Sequence, residues 1–246
     1  MQVVTNQQFV TSRARLGNWA TISGFLLLAA GFVVVLVLPG ATPDMAAVTF
    51  SYLALIMGLW ALSIGRYNKS RWGRRPREEE VLAASLKGLD YKYRLLNYLP
   101  HLPVDHLLIS PHGLFVIEAR PQFGNIINTG QRWRRKGGLG AFLMTFAEGG
   151  LGNPTRDALR SIAAVRKLLG EEPGPEEAQE SPVEGVIVFT SPLAKLEVRE
   201  PVVPVVAPKD LRAHVRSAQG RDKMPQERLR KLIDILERGY QPVERE

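Results

Sequence analysis

Cysteine is absent from this chain of 246 residues, which excludes disulfide bonds, thiolate zinc sites and a cysteine nucleophile. Acidic residues are fewer than basic ones: 24 Asp and Glu stand against 32 Lys and Arg, giving a formal net charge of +8. A basic chain favours a polyanionic partner, either nucleic acid or an acidic membrane surface. In a membrane protein, the same excess also arises from basic residues that stay on the cytoplasmic side. Charge alone leaves both interpretations open.

Two long apolar runs open the chain. Residues 19–38 and 46–65 carry no charged side chain, and each has the length that a helix needs to cross a hydrocarbon core of roughly 30 Å. A short segment rich in proline and glycine, residues 39–44, separates them. The sequence therefore predicts a transmembrane helical hairpin within residues 1–65. A cleaved signal peptide is the alternative, but the first run is too long and no small-residue cleavage site leads into a translocated domain.

Basic residues flank the predicted hairpin on both sides. Arg13 and Arg15 precede the first run, residues 66–77 are rich in Lys and Arg, and the connecting turn has only Asp44. This distribution predicts a protein of the cell membrane whose termini and globular domain are all cytoplasmic. Residues 66–77 are interpreted as a basic juxtamembrane linker that faces lipid headgroups, with direct nucleic-acid contact as the alternative.

The remaining residues, 78–246, contain no run long enough to span a membrane, and their pattern predicts a mixture of helices and strands. Helices are predicted at 78–89, 155–169 and 226–238, and strands at 91–98, 104–110, 113–120, 124–129, 184–190 and 201–207. Residues 130–152, which are rich in glycine, are assigned to no element. This order predicts an α/β domain in which helices flank a mixed central sheet.

The most informative stretch, residues 104–120, reads as two apolar strands joined by a Pro-X-Gly turn. Asp105 lies near the start of the first strand and Glu118 near the end of the second, although a buried acid is costly without a partner. Because side chains alternate along a strand, pairing the two strands would gather Asp105, Glu118 and Arg120 at one end of the sheet. The carboxylates would supply oxygen ligands for Mg²⁺ or Mn²⁺, and the guanidinium would offset charge developing on a phosphate. A structural ion pair between Asp105 and Arg120 is the alternative.

This stretch resembles the nuclease-related (NERD) domain, a family with a PD-(D/E)XK nuclease-like fold. The resemblance covers about residues 78–190, and further matches are Gly124-Asn125-Ile126, Trp133 and Asn153-Pro154. It implies a restriction-endonuclease-like core and metal-dependent hydrolysis of nucleic-acid phosphodiester bonds, with DNA as the expected partner. In that reading Asp105 and Glu118 are the ligands of Mg²⁺ or Mn²⁺.

The resemblance also implies a catalytic role for Glu79, the counterpart of the family's helical glutamate. The alternative for Glu79 is a surface residue that compensates the helix dipole. Three positions depart from the family pattern: Arg120 replaces the usual lysine, Pro103 an often-found glutamine, and Asp157 the glutamine of the "N-P-X-X-Q" helix motif. Arginine keeps the positive charge but is a bulky planar group that never deprotonates. The alternative function is a catalytically inactive, membrane-tethered module that binds nucleic acid or protein.

A basic cluster follows the motif core, and a tryptophan lies within it. Such a cluster can hold a phosphate backbone through its cations and stack a base on its indole ring. The sequence therefore predicts nucleic-acid binding by Arg132, Trp133, Arg134, Arg135 and Lys136. A solvated basic loop near the membrane is the alternative.

Overall fold

The computed structural model describes residues 1–37, 45–73, 75–137, 150–171, 182–220 and 223–237. The chain divides into two compact units. One is helical and spans Gln8–Arg75. The other is globular and combines Met1–Gln7 with the chain from Pro76 onward.

The helical unit consists of α1 (Gln7–Val37) and α2 (Met45–Trp72). Both helices are long and apolar enough to cross a membrane, with mean hydropathy of 2.2 and 1.9 in their most apolar windows. Most of their large apolar side chains are exposed, as lipid contact would require. Both helices extend beyond the predicted apolar runs: α1 begins earlier and α2 ends later. Residues 66–72 continue α2 because they contain neither proline nor glycine. These residues, predicted as a linker, are therefore helical.

Glycines allow α1 and α2 to approach each other closely. Gly17, Gly24 and Gly31 recur every seventh residue along α1. A Cβ atom at Gly24 would lie 2.8 Å from Leu62 Cγ and 2.9 Å from the Leu62 backbone nitrogen, which is closer than side chains tolerate. Small residues at such contacts are typical of helices packed within a bilayer, where apolar burial supplies little driving force.

The globular unit is built on a six-stranded mixed sheet with the strand order β1-β2-β3-β4-β7-β9. The strands are β1 (Gln2–Thr5), β2 (Arg94–Asn97), β3 (His106–Ser110), β4 (Gly113–Arg120), β7 (Val183–Phe189) and β9 (Val205–Val206). β2, β3 and β4 pair in antiparallel fashion, whereas β1, β7 and β9 join as parallel strands. The predicted α/β fold with a mixed central sheet is confirmed.

Helices cover both faces of this sheet. The helices are α3 (Glu78–Ser85), α4 (Pro154–Glu171), α5 (Pro208–Ser217) and α6 (Gln226–Glu237). On one face, Leu107 and Val116 pack in a cluster with Val165 of α4 and Leu232 of α6. On the other face, alternate strand residues pack in a cluster with α3 and α5, among them Leu108, Phe115, Leu82 and Leu211. These two faces decide which side chains can meet near the ends of β3 and β4.

A second sheet of three strands follows β4 directly. It contains β5 (Gly124–Thr129), β6 (Arg132–Lys136) and β8 (Ala194–Arg199) in the order β6-β5-β8. Gly130 adopts a positive φ of 59° in the two-residue connection between β5 and β6. Such a conformation suits the first position of a tight hairpin turn, where glycine is favoured. After this turn, residues 132–136 of the glycine-rich segment form β6, a strand that the sequence pattern did not predict.

Several predicted boundaries are wrong, and four elements were missed. The helix predicted at 78–89 ends at Ser85, and the strand predicted at 91–98 covers only Arg94–Asn97. The strand predicted at 201–207 shrinks to Val205–Val206, since Pro201 and Pro204 lack the N–H group that a strand ladder needs. The missed elements are β1, β6, β8 and α5.

Candidate functional site

Strand pairing brings the two predicted metal ligands opposite each other. In the antiparallel pair, His106 lies across from Ile117, and continuing the register by one residue places Asp105 across from Glu118. Their side chains belong to the α4 face, because Leu107 and Val116, two positions away on each strand, pack there. Both acidic residues are half-buried. The backbone therefore carries Asp105 and Glu118 on neighbouring strands and on the same face of the sheet.

Arg120 lies on the same face and contacts two carboxylates. Its Nη2 atom is 2.9 Å from Glu118 Oε1 and 2.5 Å from Asp157 Oδ2. The exposed fractions of the three side chains are 16% for Arg120, 14% for Glu118 and 33% for Asp157, so the pairs are only partly screened by solvent. Among the described residues, the guanidinium therefore forms its ion pairs with Glu118 and Asp157, and the alternative ion pair with Asp105 is not formed.

The first turn of α4 holds Asp157 in this position. Asn153 caps the helix, since its Oδ1 accepts a hydrogen bond from the Arg156 backbone N–H at 3.0 Å. The Asn153 side-chain amide also donates to the Gln131 carbonyl at 3.2 Å. Thr155 Oγ1 accepts a hydrogen bond from the Trp133 indole at 2.8 Å. This turn therefore joins the end of β4 to the second sheet.

Glu79, in the first turn of α3, lies in a buried polar cluster between this helix and the end of β2. Its Oε2 accepts a hydrogen bond from the Tyr98 hydroxyl at 2.8 Å, and its Oε1 lies 3.5 Å from Arg77. Only 6% of Glu79 is exposed, so it is not the surface residue of the alternative interpretation. His106 completes the cluster from the α3 face, with its Nδ1 2.8 Å from Asn97 Oδ1.

The donor set limits what kind of metal ion the site could hold. Within the described residues, no group of three or more His, Cys, Asp or Glu side chains is arranged to hold a metal. Glu79 therefore does not form a three-carboxylate site with Asp105 and Glu118. Mg²⁺ is commonly held by one or two carboxylates while it keeps several waters, so two hard oxygen donors fit this ion and Mn²⁺.

The predicted nucleic-acid-binding residues divide between the two faces of β6. Arg132, Arg134 and Lys136 are exposed on the outer face. Trp133 and Arg135 are half-buried on the inner face, where the Trp133 ring packs 5.6 Å from Phe189. The indole nitrogen is also engaged with Thr155, which gives Trp133 a packing role.

Sequence reasoning missed Asp157 as a partner of Arg120 and missed two cations on β8, Lys195 and Arg199. The signal for β8 was available, because Ala194–Arg199 alternates small or apolar residues with charged ones. The contact of Asp157 had no local signal, since 37 residues separate it from Arg120.

Comparison with known families agrees with this geometry. Residues 74–190 match the family model described as the nuclease-related domain, NERD. No curated protein matches the chain, and no solved structure matches it. The matched range includes Asp105, Glu118, Arg120 and Asp157. The chain therefore carries a nuclease-related (NERD) domain at residues 74–190.

Proposed function

We propose that this domain hydrolyses phosphodiester bonds of nucleic acid, DNA in particular, with Mg²⁺ or Mn²⁺ held by Asp105 and Glu118. The observation that carries the proposal is the strand register that sets these two carboxylates opposite each other, with Arg120 on the same face. A NERD domain is nuclease-related, which is consistent with this chemistry.

Each residue has a distinct task in the proposed site. Asp105 and Glu118 provide the oxygen ligands, and Arg120 faces the phosphate and offsets the negative charge that develops on it. When bound, the divalent ion polarises the phosphate and makes a water molecule more acidic. Glu79 acts indirectly in this proposal. Its carboxylate accepts a hydrogen bond from the Tyr98 hydroxyl, and the Tyr98 backbone N–H donates to the Asp105 carbonyl at 2.6 Å, so Glu79 fixes the position of the Asp105 backbone.

A second function, binding without catalysis, is favoured by the ion pairs of Arg120. The guanidinium is held between Glu118 and Asp157, so it neutralises a carboxylate that the metal would need. Because arginine does not deprotonate, this competition persists over the whole physiological pH range. The domain would then be a tethered module that binds nucleic acid or another protein.

We also propose that the domain lies on the cytoplasmic side of the cell membrane, with α1 and α2 as its lipid-embedded anchor. β1 precedes α1 and is a strand of the globular sheet, whereas β2, its partner, follows α2. The chain must therefore return to the side from which it entered. The basic residues before α1 and at the end of α2 favour the cytoplasm as that side.

The test is a cleavage assay with the full chain in detergent micelles. Single- and double-stranded DNA and RNA are incubated with Mg²⁺ or Mn²⁺ and with wild type, Glu118→Gln, or the double variant Arg120→Lys/Asp157→Gln. We expect wild type to cleave and Glu118→Gln to lose roughly 100-fold or more of that activity. Asp210→Asn, which alters an exposed acid on α5, serves as the matched control and should cleave like wild type.

The outcomes separate the two functions. Cleavage by the double variant alone would mean that the carboxylate pair is competent and that the ion pairs of Arg120 suppress it. If no protein cleaves any substrate while all of them remain folded, hydrolysis is rejected in favour of the binding module.

A further inference from the structure

The second sheet presents an exposed basic face that combines three predicted cations of β6 with two cations of β8 that the sequence analysis did not single out. β5 is the central strand, and its register aligns residues of β6 and β8 in three cross-strand rows. Asn125 lies between Lys136 and Lys195, Ile127 between Arg134 and Glu197, and Thr129 between Arg132 and Arg199. Paired residues of neighbouring strands point to the same side of a sheet, so these nine side chains share one face.

Burial confirms that this face is the outer one. The three residues that β6 contributes and the three that β8 contributes are all exposed, and Asn125 and Thr129 are exposed on β5. The alternate residues other than Val198 are buried or half-buried, and Ile126 forms a cluster with Ala158 of α4 and Phe189 of β7. The outer face is thus available to a partner.

The charge on this face is strongly positive. It carries five cations and one acid, Glu197, and the cations are Arg132, Arg134, Lys136, Lys195 and Arg199. Among the residues that the structure describes, none of these five side chains takes part in an ion pair. Strands about 4.8 Å apart place the two outer columns of side chains about 10 Å from each other, with polar residues between them.

We infer that this outer face binds the phosphodiester backbone of a nucleic acid and positions it for the site at the end of β4. Only three residues separate Arg120 from the start of β5, and the first turn of α4 contacts both β6 and Arg120. The second sheet, which carries the basic face, is therefore joined to the segment that holds Asp157 and Arg120. This inference rests on the proposed function for its substrate, but binding can be measured without catalysis.

A nucleic acid fits this face better than a lipid surface does. Peripheral membrane-binding surfaces usually combine cations with large apolar or aromatic side chains that enter the headgroup region. The only large apolar residue on this face is Ile127, which is half-buried and lies on the central strand. Asn125 and Thr129 add hydrogen-bonding groups that suit phosphate oxygens.

The test measures DNA binding by the full chain in nanodiscs of zwitterionic lipid, with EDTA present so that no cleavage occurs. A fluorescent 20-base-pair duplex is titrated at several salt concentrations with wild type and with Lys195→Gln/Arg199→Gln. We expect the variant to bind roughly tenfold more weakly near 0.1 M salt, and its salt dependence to fall by about 1.8 in log–log slope, since two phosphate contacts are lost. Glu197→Gln should bind several-fold more tightly than wild type, because it removes the acid from the face.

A matched control removes one arginine and one lysine elsewhere. Arg230→Gln/Lys231→Gln alters two exposed cations on α6 and should bind like wild type. Equal losses in the two double variants, or no loss in Lys195→Gln/Arg199→Gln, would overturn the inference. Binding of the same nanodiscs to vesicles that contain phosphatidylserine is measured in parallel, and a variant that lost only this binding would also overturn the inference. Binding that follows this pattern without any cleavage by wild type would support the inference and reject the nuclease activity.

Discussion

Arg120 is the residue at which this chain differs most informatively from the family pattern. Its guanidinium offers several donors in a rigid plane, and Nη2 donates a hydrogen bond to Asp157 and forms an ion pair with Glu118. The family pattern has lysine and glutamine at the positions of Arg120 and Asp157. The two departures are therefore in direct contact, and each accounts for the other: the acid balances the larger cation.

A double-mutant cycle tests this coupling. We expect Arg120→Gln and Asp157→Asn each to lower the Tm of the full chain in detergent, and the double variant to cost little more than the worse single change. The non-additive part should amount to about 1–2 kcal/mol, or roughly 2–8 °C, as for a charge-assisted hydrogen bond in a partly buried setting. Arg120→Gln combined with Asp210→Asn, a pair with no contact, should be additive. Additive effects in the first pair would contradict the coupling.

At the scale of elements, β1 links the start of the chain to the globular sheet. It pairs in parallel with β2, and the Asn97 side-chain amide donates to Thr5 Oγ1 at 3.0 Å. Val4 packs against the main cluster on the α4 face, whereas Val3 is 45% exposed. A fragment that begins after α2 would lack this edge strand and leave the outer edge of β2 unpaired, while β2 would still pair with β3.

Substitutions at these neighbouring valines test the contribution of β1. Val4→Ser should lower the free energy of unfolding of the globular unit by about 1 kcal/mol, because a half-buried aliphatic side chain is lost. Val3→Ser changes the same chemistry on the exposed side of the strand and should stay within about 0.5 kcal/mol of wild type. Thermal unfolding of the full chain in detergent would measure both. Equal shifts for the two variants would indicate that β1 does not pack on the sheet in solution.

At the scale of the whole molecule, the order of elements constrains the membrane arrangement. A strand of the globular sheet precedes two helices that could each cross a bilayer, and the rest of that sheet follows them. Any arrangement in which only one helix crosses would separate β1 from β2. The proposed anchor, in which both helices cross, keeps β1 and β2 on one side.

Cysteine labelling tests this arrangement without background, since the chain has no native cysteine. We expect Val3→Cys and Lys209→Cys to be protected from an impermeant maleimide in intact cells, and Thr42→Cys, between the two helices, to react. All three should react after the membrane is dissolved. Labelling of Val3→Cys but not of Lys209→Cys in intact cells would refute the proposed arrangement.

Local patterns predicted much of the fold because each rests on neighbouring residues. The apolar runs predicted α1 and α2, and the Pro-X-Gly turn predicted the hairpin of β3 and β4, where Gly113 adopts a φ of 139°. Two of the elements that were missed, β1 and β8, depend on distant partners. β1 is a four-residue strand whose partners on β2 lie 92 positions further along the chain, and β8 forms on β5.

The sequence by itself determined the two apolar helices and the α/β class, because hydrophobic periodicity and strand alternation are local properties. Only the tertiary structure decided the partner of Arg120, the inward orientation of Trp133 and the basic outer face of the second sheet. Each of these features joins residues from separate elements, and which elements become neighbours is set by packing over long stretches of chain.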